Sequence, residues 1–560
     1  MKKSVVAAVL AVSVLFTACS KKGPSTSSGS GTTWSEPQNI ESSSETETTT
    51  SEEPTETSSG RIMSYDVPLY KKVNYLTSTM EKEEVFAFLS KDIKAIEDEN
   101  WFSGYNCIEY YYGCYGVPVF EGDACANLNE AIREDFEKLF PNAKEHFEEK
   151  KKEISGTFGT EEYPITYEEK MLPVILRADE KITTIYYPYE NDAVSAEVTS
   201  ENLINYETAT GKRIAFSDVV KDKDAFVELA KDRISNGITY YEPEANKEAD
   251  IQAFLTSDNI PFTIDYDGIS VYFPAVVYID YFEGTGHVDY IGNEDVLNGE
   301  YFDVLPEDYV LHITPNADFY WDLDGDGKTE RIFVDIQMET AFYDTDSFSI
   351  WIDDHRTVIN AAGIIGDQIA ENLTLVHTHG KDFLYIWMGG EDNSSCIVIF
   401  EFVGKKAEQR NGTGKWTDMP WKNFDPNHLE LLDNLYVVGR AEYRAVYRVS
   451  DDGMPETSEE VYTIDSLYGH IFPCLKKDLK VDQVDPDTLE KKGDITLKAG
   501  TSLWPVYSDG MTYEIFKVID QDPKKEVYIR VDLTYGNNVD EAYVNGMDAT
   551  ELFVRVFRGA

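Results

Sequence analysis

Hydrophobic and polar positions change rhythm several times along this 560-residue chain. Between Glu81 and Asn100 the apolar residues Val85, Phe86, Leu89, Ile93 and Ile96 recur near helical spacing, which predicts an amphipathic helix. Over 124–153, Leu128, Ile132, Phe136 and Leu139 share one helical face, and Pro141 predicts a break or kink in the stretch. Lys223 to Ile234 reads as a further helix. Ile182–Tyr187 and Val271–Ile279 are runs of β-branched and aromatic residues, and Pro274 marks the second as an edge or a bulge. Between them, residues 205–212 predict a hairpin turn, with Gly211 free to take positive φ. Beyond residue 306 strand patterns dominate: Arg331–Met338, Phe348–Asp353, Phe383–Met388 and Cys396–Val403, with more strand and turn at 501–510 and 543–548. The expected fold class is α+β, an N-terminal α+β domain over 62–305 followed by β-rich domains over 306–480 and 481–560.

The start of the chain changes this picture by giving it an address. Residues 1–19 place Lys2 and Lys3 before a short apolar run from Ser4 to Phe16, then Thr17-Ala18 before Cys19. The run is an export signal, since a spanning helix needs about 20 apolar residues. Cys19 directly after a small pair resembles the bacterial lipobox, in which that cysteine is lipidated. An ordinary secretory signal ending in cysteine is the alternative. With a lipobox, lipid on Cys19 holds the chain to the cell membrane on its extracytoplasmic face. Residues 20–61 then form a polar tether: 24–60 hold 20 Ser or Thr in 37 positions and almost nothing apolar. Such a segment cannot bury enough surface to offset its conformational entropy, and as a flexible coil it spans roughly 35 Å.

Charge narrows the function. The chain has 50 Lys and Arg against 103 Asp and Glu, so 50 − 103 = −53. Affinity for phosphate backbones comes mainly from Lys and Arg, so nucleic acid is excluded as a partner, as is docking on anionic lipid through a basic patch. Hydrophobic residues still make up 42%, enough for real cores. Beyond Cys19 the cysteines are Cys107, Cys114, Cys125, Cys396 and Cys474, an odd number that leaves at least one thiol unpaired in a monomer. The three within 107–125 allow one local disulfide, buried thiols or, against the usual ligand spacings, zinc.

Two resemblances attach to specific residues. Asn205-Tyr206-Glu207, Thr210-Gly211-Lys212 and Phe216–Val220, with Asp267–Phe273 running on to Gly284, are similar to a motif order in the extracytoplasmic domain of RsiV-type anti-sigma factors. Gly116–Phe120 and Asn127–Ile132 fit the beginning of that domain, and the resemblance spans about 62–305. It implies an extracellular recognition domain, with a lysozyme as one candidate ligand. The second is Asp322-Leu323-Asp324-Gly325-Asp326-Gly327-Lys328-Thr329-Glu330. Acids at positions 1, 3 and 5 with Gly at 6 let a tight loop wrap oxygens around one hard cation, with the Lys328 carbonyl at 7 and Glu330 at 9. Position 12 is Phe333 and not the bidentate Glu of an EF-hand, so the loop instead resembles the calcium turns of FG-GAP or VCBS-type β repeats. An acidic, metal-free hairpin turn is the alternative.

Catalytic signatures are scarce. There is no H-E-x-x-H, G-x-S-x-G or Walker A sequence. His377 and His379 share a face if extended, but a solvent-facing hairpin accounts for them more simply. The Tyr-rich run Tyr105–Tyr115 suits either a strand with packed rings or a carbohydrate-stacking patch. The expected function is therefore a non-catalytic surface binding module for a basic protein or a carbohydrate, with one structural calcium ion. The alternative is a surface hydrolase acting on glycan or cell wall through acidic residues that no motif reveals.

Overall fold

In the computed structural model the described residues are 63–88, 110–155, 166–191, 199–237, 251–257, 259–273, 284–335, 347–360, 368–389, 396–410, 416, 424–457, 461–467, 473–510, 512–519, 526–535 and 542–554. The export signal, Cys19, the tether and Cys107 lie outside them. The protein is β-rich with a small helical part. Among the described residues, helices longer than ten residues are Ala126–Leu139, Ala143–Ser155 and Lys223–Gly237. No helix there is long and apolar enough to cross a membrane.

The break expected at Pro141 separates the first two helices, and Asn142 turns the chain with φ 57°. Leu128, Ile132 and Phe136 bury one face of the first helix, together with Phe147 from the second. These helices pack beside a mixed sheet ordered Ser78–Phe88, Tyr110–Phe120, Thr166–Met171 and Glu190–Asn191.

Here the helix expected from Glu81 is corrected. Ser78–Phe88 is an edge strand, paired antiparallel residue by residue with Tyr110–Phe120, and the rest of the expected helix falls outside the described residues. Eleven ladder positions with a distant segment outweigh a local helical spacing of five apolar residues. Its charges suit an edge: Glu81 meets Arg133 at 3.3 Å, and Glu83 meets Lys144 at 2.6 Å.

A second sheet, Val174–Ala178, Ile182–Tyr186 and Leu203–Glu207, is antiparallel. Its last strand ends in the expected hairpin turn, where Gly211 has φ 68° and Tyr206 bridges to Arg213. Asn205 stitches this sheet to a third: its amide donates to Phe262 O at 2.8 Å, and its Oδ1 accepts from Ile264 N at 3.2 Å. The third sheet is Phe262–Ile264, Gly268–Phe273 and Gly284–Asp289, covered by the Lys223–Gly237 helix through Ala230 and Ile234.

Most of the remaining described strands form three layers. A four-stranded meander, Phe319–Trp321, Glu330–Asp335, Ser347–Ile352 and His355–Asn360, packs on a five-stranded sheet of Tyr309–Ile313, Gln368–Thr378, Lys381–Gly389, Cys396–Val403 and Lys406–Gln409. Between them lie Phe319, Trp321, Ile332, Ile350, Leu375, Leu384, Val398 and Phe400. Alternate residues of that middle sheet, Val376, Phe383, Tyr385, Ile397 and Ile399, face the other way into a core with an eleven-stranded sheet from Leu429–Val437 onward. The boundary expected at 480 falls inside the Leu479–Val484 strand, and strands on both sides of it belong to this one sheet.

Cys114 and Cys125 are buried thiols, not joined to each other, and burial pushes both up from the usual thiol range. Cys474 is also buried, and the side chain of Cys396 lies outside the described residues.

Candidate metal centre

The acidic loop joins two antiparallel strands, with Trp321 paired to Glu330. Gly325 and Gly327 take φ of 73° and 86°, values a side chain would strain, and this lets the amides between them turn inward. Asp322 receives three of those amides: Gly325 N at 2.8 Å, Asp326 N at 3.1 Å and Gly327 N at 3.0 Å. Glu330 accepts Leu323 N at 2.8 Å across the mouth of the turn.

As a result one oxygen each of Asp322, Asp324 and Glu330 lies within 4.8 Å of the others. Burial raises Glu330 above the ordinary carboxyl range, and the charges of Asp324 and Asp322 raise it further against the Leu323 amide. Three like charges drawn together in this way repel, and a divalent cation would reverse that sign. Carboxylate oxygens from one tight turn fit a hard cation such as calcium.

Of the four expected carboxylate ligands, the structure gathers these three. Asp326 is exposed, lies outside the group and accepts Lys328 N at 2.8 Å. Lys328 pairs through its ammonium with Asp66. The same stretch clamps the loop by its backbone: Val67 N donates to Gly327 O at 3.1 Å, and Thr329 N to Tyr65 O at 3.1 Å.

The other sequence candidates are not members of this group. His377 stacks on Tyr309, ring centroids 4.6 Å apart, with Nδ1 2.8 Å from Asp382. His379 contacts Asp451 at 3.2 Å and the Val449 carbonyl at 3.2 Å. The two imidazoles therefore have separate partners. In the Tyr-rich run, Tyr111 is buried and donates to Glu169 at 3.0 Å, while Tyr115 donates to Glu83 at 2.7 Å.

A second group was not found by motif. Asp265, Asp267 and His287 also bring one ligand atom each within 4.8 Å of one another. Asp265 and Asp267 lie in the turn before Gly268–Phe273, and the antiparallel pairing of that strand with Gly284–Asp289, Gly268↔Asp289 and Ser270↔His287, brings His287 against them.

No protein-family model and no curated protein matches the chain. Among solved structures, a similar one is the crystal structure of a member of the DUF3298 family from Bacteroides fragilis. It is 15% identical, aligned over 42% of this chain and 98% of its own length, with a TM-score of 0.27.

Proposed function

We propose that this chain is a cell-surface lipoprotein, lipidated at Cys19 on the extracytoplasmic face of the cell membrane. Its folded part is a non-catalytic binding module whose 62–305 region is an α+β recognition domain of RsiV type. A structural calcium ion sits in the Asp322–Glu330 loop, as in FG-GAP-like turns. The observation that carries the metal is the convergence of Asp322, Asp324 and Glu330 across a turn that its own amides hold closed.

The partner is a basic protein such as a lysozyme. The net charge of −53 supports this, because a strongly acidic body raises the rate of encounter with cations and that effect fades with salt. Titrating the full chain with lysozyme at low and high salt is the test. Affinity should fall at least about tenfold at high salt, and an affinity that does not change with salt would overturn the electrostatic reading. For the loop, calorimetry of Asp324→Ala beside the parent chain should lose the heat of calcium binding; identical traces would remove the site.

A further inference from the structure

The Asp265–Asp267–His287 group differs from the acidic loop in being interior and unsatisfied. Asp267 is 3% exposed and His287 7%, yet both oxygens of Asp267 and Nε2 of His287 make no hydrogen bond. The two side chains face each other, Nε2 to Asp267 Oδ2 being 3.3 Å without hydrogen-bonding geometry. Asp289 Oδ1 lies 3.6 Å from the same nitrogen, and Asp289 Oδ2 accepts from Arg233 at 3.4 Å. Asp265 forms the rim, its side chain 29% exposed, with Oδ2 3.5 Å from Nδ1.

Buried polar atoms without partners cost free energy, and an unpaired buried carboxylate costs most. Nearby cations do not resolve it. Arg177 is held by Asp179 at 2.7 Å and by the carbonyls of Ile264 and Asp265, and its other terminal nitrogen is buried without reaching Asp267. Three carboxylates, Asp265, Asp267 and Asp289, meet Arg233 and His287 here, with His312 and Arg177 also acting on Asp265, and none of these cations hydrogen-bonds Asp267. A proton on Nε2 would also be expected to form a hydrogen bond, and the geometry lacks one.

Local structure holds the imidazole in this pose. The Ser270 hydroxyl lies 2.9 Å from His287 Nδ1 and donates to Asp265 at 2.5 Å, which orients the ring and leaves Nε2 facing Asp267. A side-chain partner on the far nitrogen is the arrangement that metal-bound histidines use. Gly268 permits the approach: a Cβ there would lie 2.9 Å from Nε2. Two ligands about 2.1 Å from one tetrahedral ion stand about 3.4 Å apart, close to the separation between Nε2 and Asp267.

We propose that Asp265, Asp267 and His287 form a second metal site, interior and distinct from the acidic loop, for a divalent transition-metal ion of the zinc class. An imidazole nitrogen with carboxylate oxygens selects such an ion over calcium, which takes oxygen ligands. The site is independent of the ligand-binding function proposed above.

The test uses the full chain, stripped with a chelator and resupplied with excess calcium to fill the acidic loop. Calorimetric titration with zinc alone should show one tight equivalent. That equivalent should weaken at least about 100-fold in Asp267→Asn and in His287→Gln, and persist in Asp324→Ala. Equal zinc binding by the parent chain and both variants would overturn the site. Cobalt titration of the parent chain guards against a variant that fails to fold. Visible absorption bands with nitrogen and oxygen ligation are expected, and a parent chain that takes up neither cobalt nor zinc would refute the proposal.

Discussion

Glu514 shows what one buried side chain does to the whole stability curve. It lies on Tyr513–Val518, is 1% exposed, and its carboxyl has the Val438 amide as a hydrogen-bond donor at 3.0 Å. Burial pushes it up to about 8 against that amide. The folded chain therefore keeps a proton that the unfolded chain releases above about 4.5, so stability falls as pH rises from there to about 8. Glu514→Gln keeps the acceptor and removes the charge. Its stability should gain on the parent chain as pH goes from 5 to 8, by on the order of 3–5 kcal/mol. Denaturant titrations at both pH values check this, and parallel curves would contradict it. Gly268 makes a steric case at the same scale, since a Cβ there would also meet Val288 O at 2.2 Å. Gly268→Ala should cost about 2–4 kcal/mol, read from the denaturation midpoint.

At the scale of elements, local pattern and long-range pairing each win in different places. The helices at Ala126–Leu139 and Lys223–Gly237 follow their periodicity, because one apolar face meets a sheet and nothing competes with it. The Ser78–Phe88 strand overrides its helical spacing because Tyr110–Phe120 offers a full ladder, and no feature of residues 81–100 alone reveals that partner. The acidic loop was legible for the opposite reason: its chemistry is contiguous in sequence and its glycines mark the turn. The Asp267–His287 group was not, since its members are twenty residues apart and meet only through strand register. Another such meeting joins helix to sheet. Asp135 on the first helix takes Arg213 at 2.6 Å and the Tyr206 hydroxyl at 2.9 Å, and Tyr206 meets Tyr187 at 3.0 Å. Burial opposes its charge, but Arg213, Lys138 and Tyr206 outweigh it and hold the carboxyl below its usual range. Asp135→Asn should lose about 2–3 kcal/mol, and a double-mutant cycle with Tyr206→Phe should show coupling of about 0.5–3 kcal/mol. Strict additivity would mean that the network does not act as a unit.

For the whole molecule, the decisive feature is the layer shared by two cores. The Lys381–Gly389 and Cys396–Val403 strands give one face to the meander and the other to the eleven-stranded sheet. That sheet is itself joined by strands from both sides of residue 480: Tyr462 pairs with Ser508, and Thr463 with Tyr507. Residues 481–560 supply Leu497, Leu503, Phe516, Ile529, Val531 and Val544 to its core, while Leu429, Leu431, Ala445 and Tyr447 come from before the cut. The strand and turn pattern suggested a separate small domain there, because such signals look alike on either side of a boundary. A single sheet has a different consequence. Residues 481–560 alone would expose one face of their apolar strands and leave ladder edges unpaired, so they should not fold independently. A chain ending at 480 would leave the complementary half exposed. Expressed by itself, 481–560 should show no cooperative thermal transition by circular dichroism, and the chain ending at 480 should lose its transition or aggregate. A sharp transition in the isolated 481–560 segment would restore the two-domain reading and remove the shared sheet as the unit of stability.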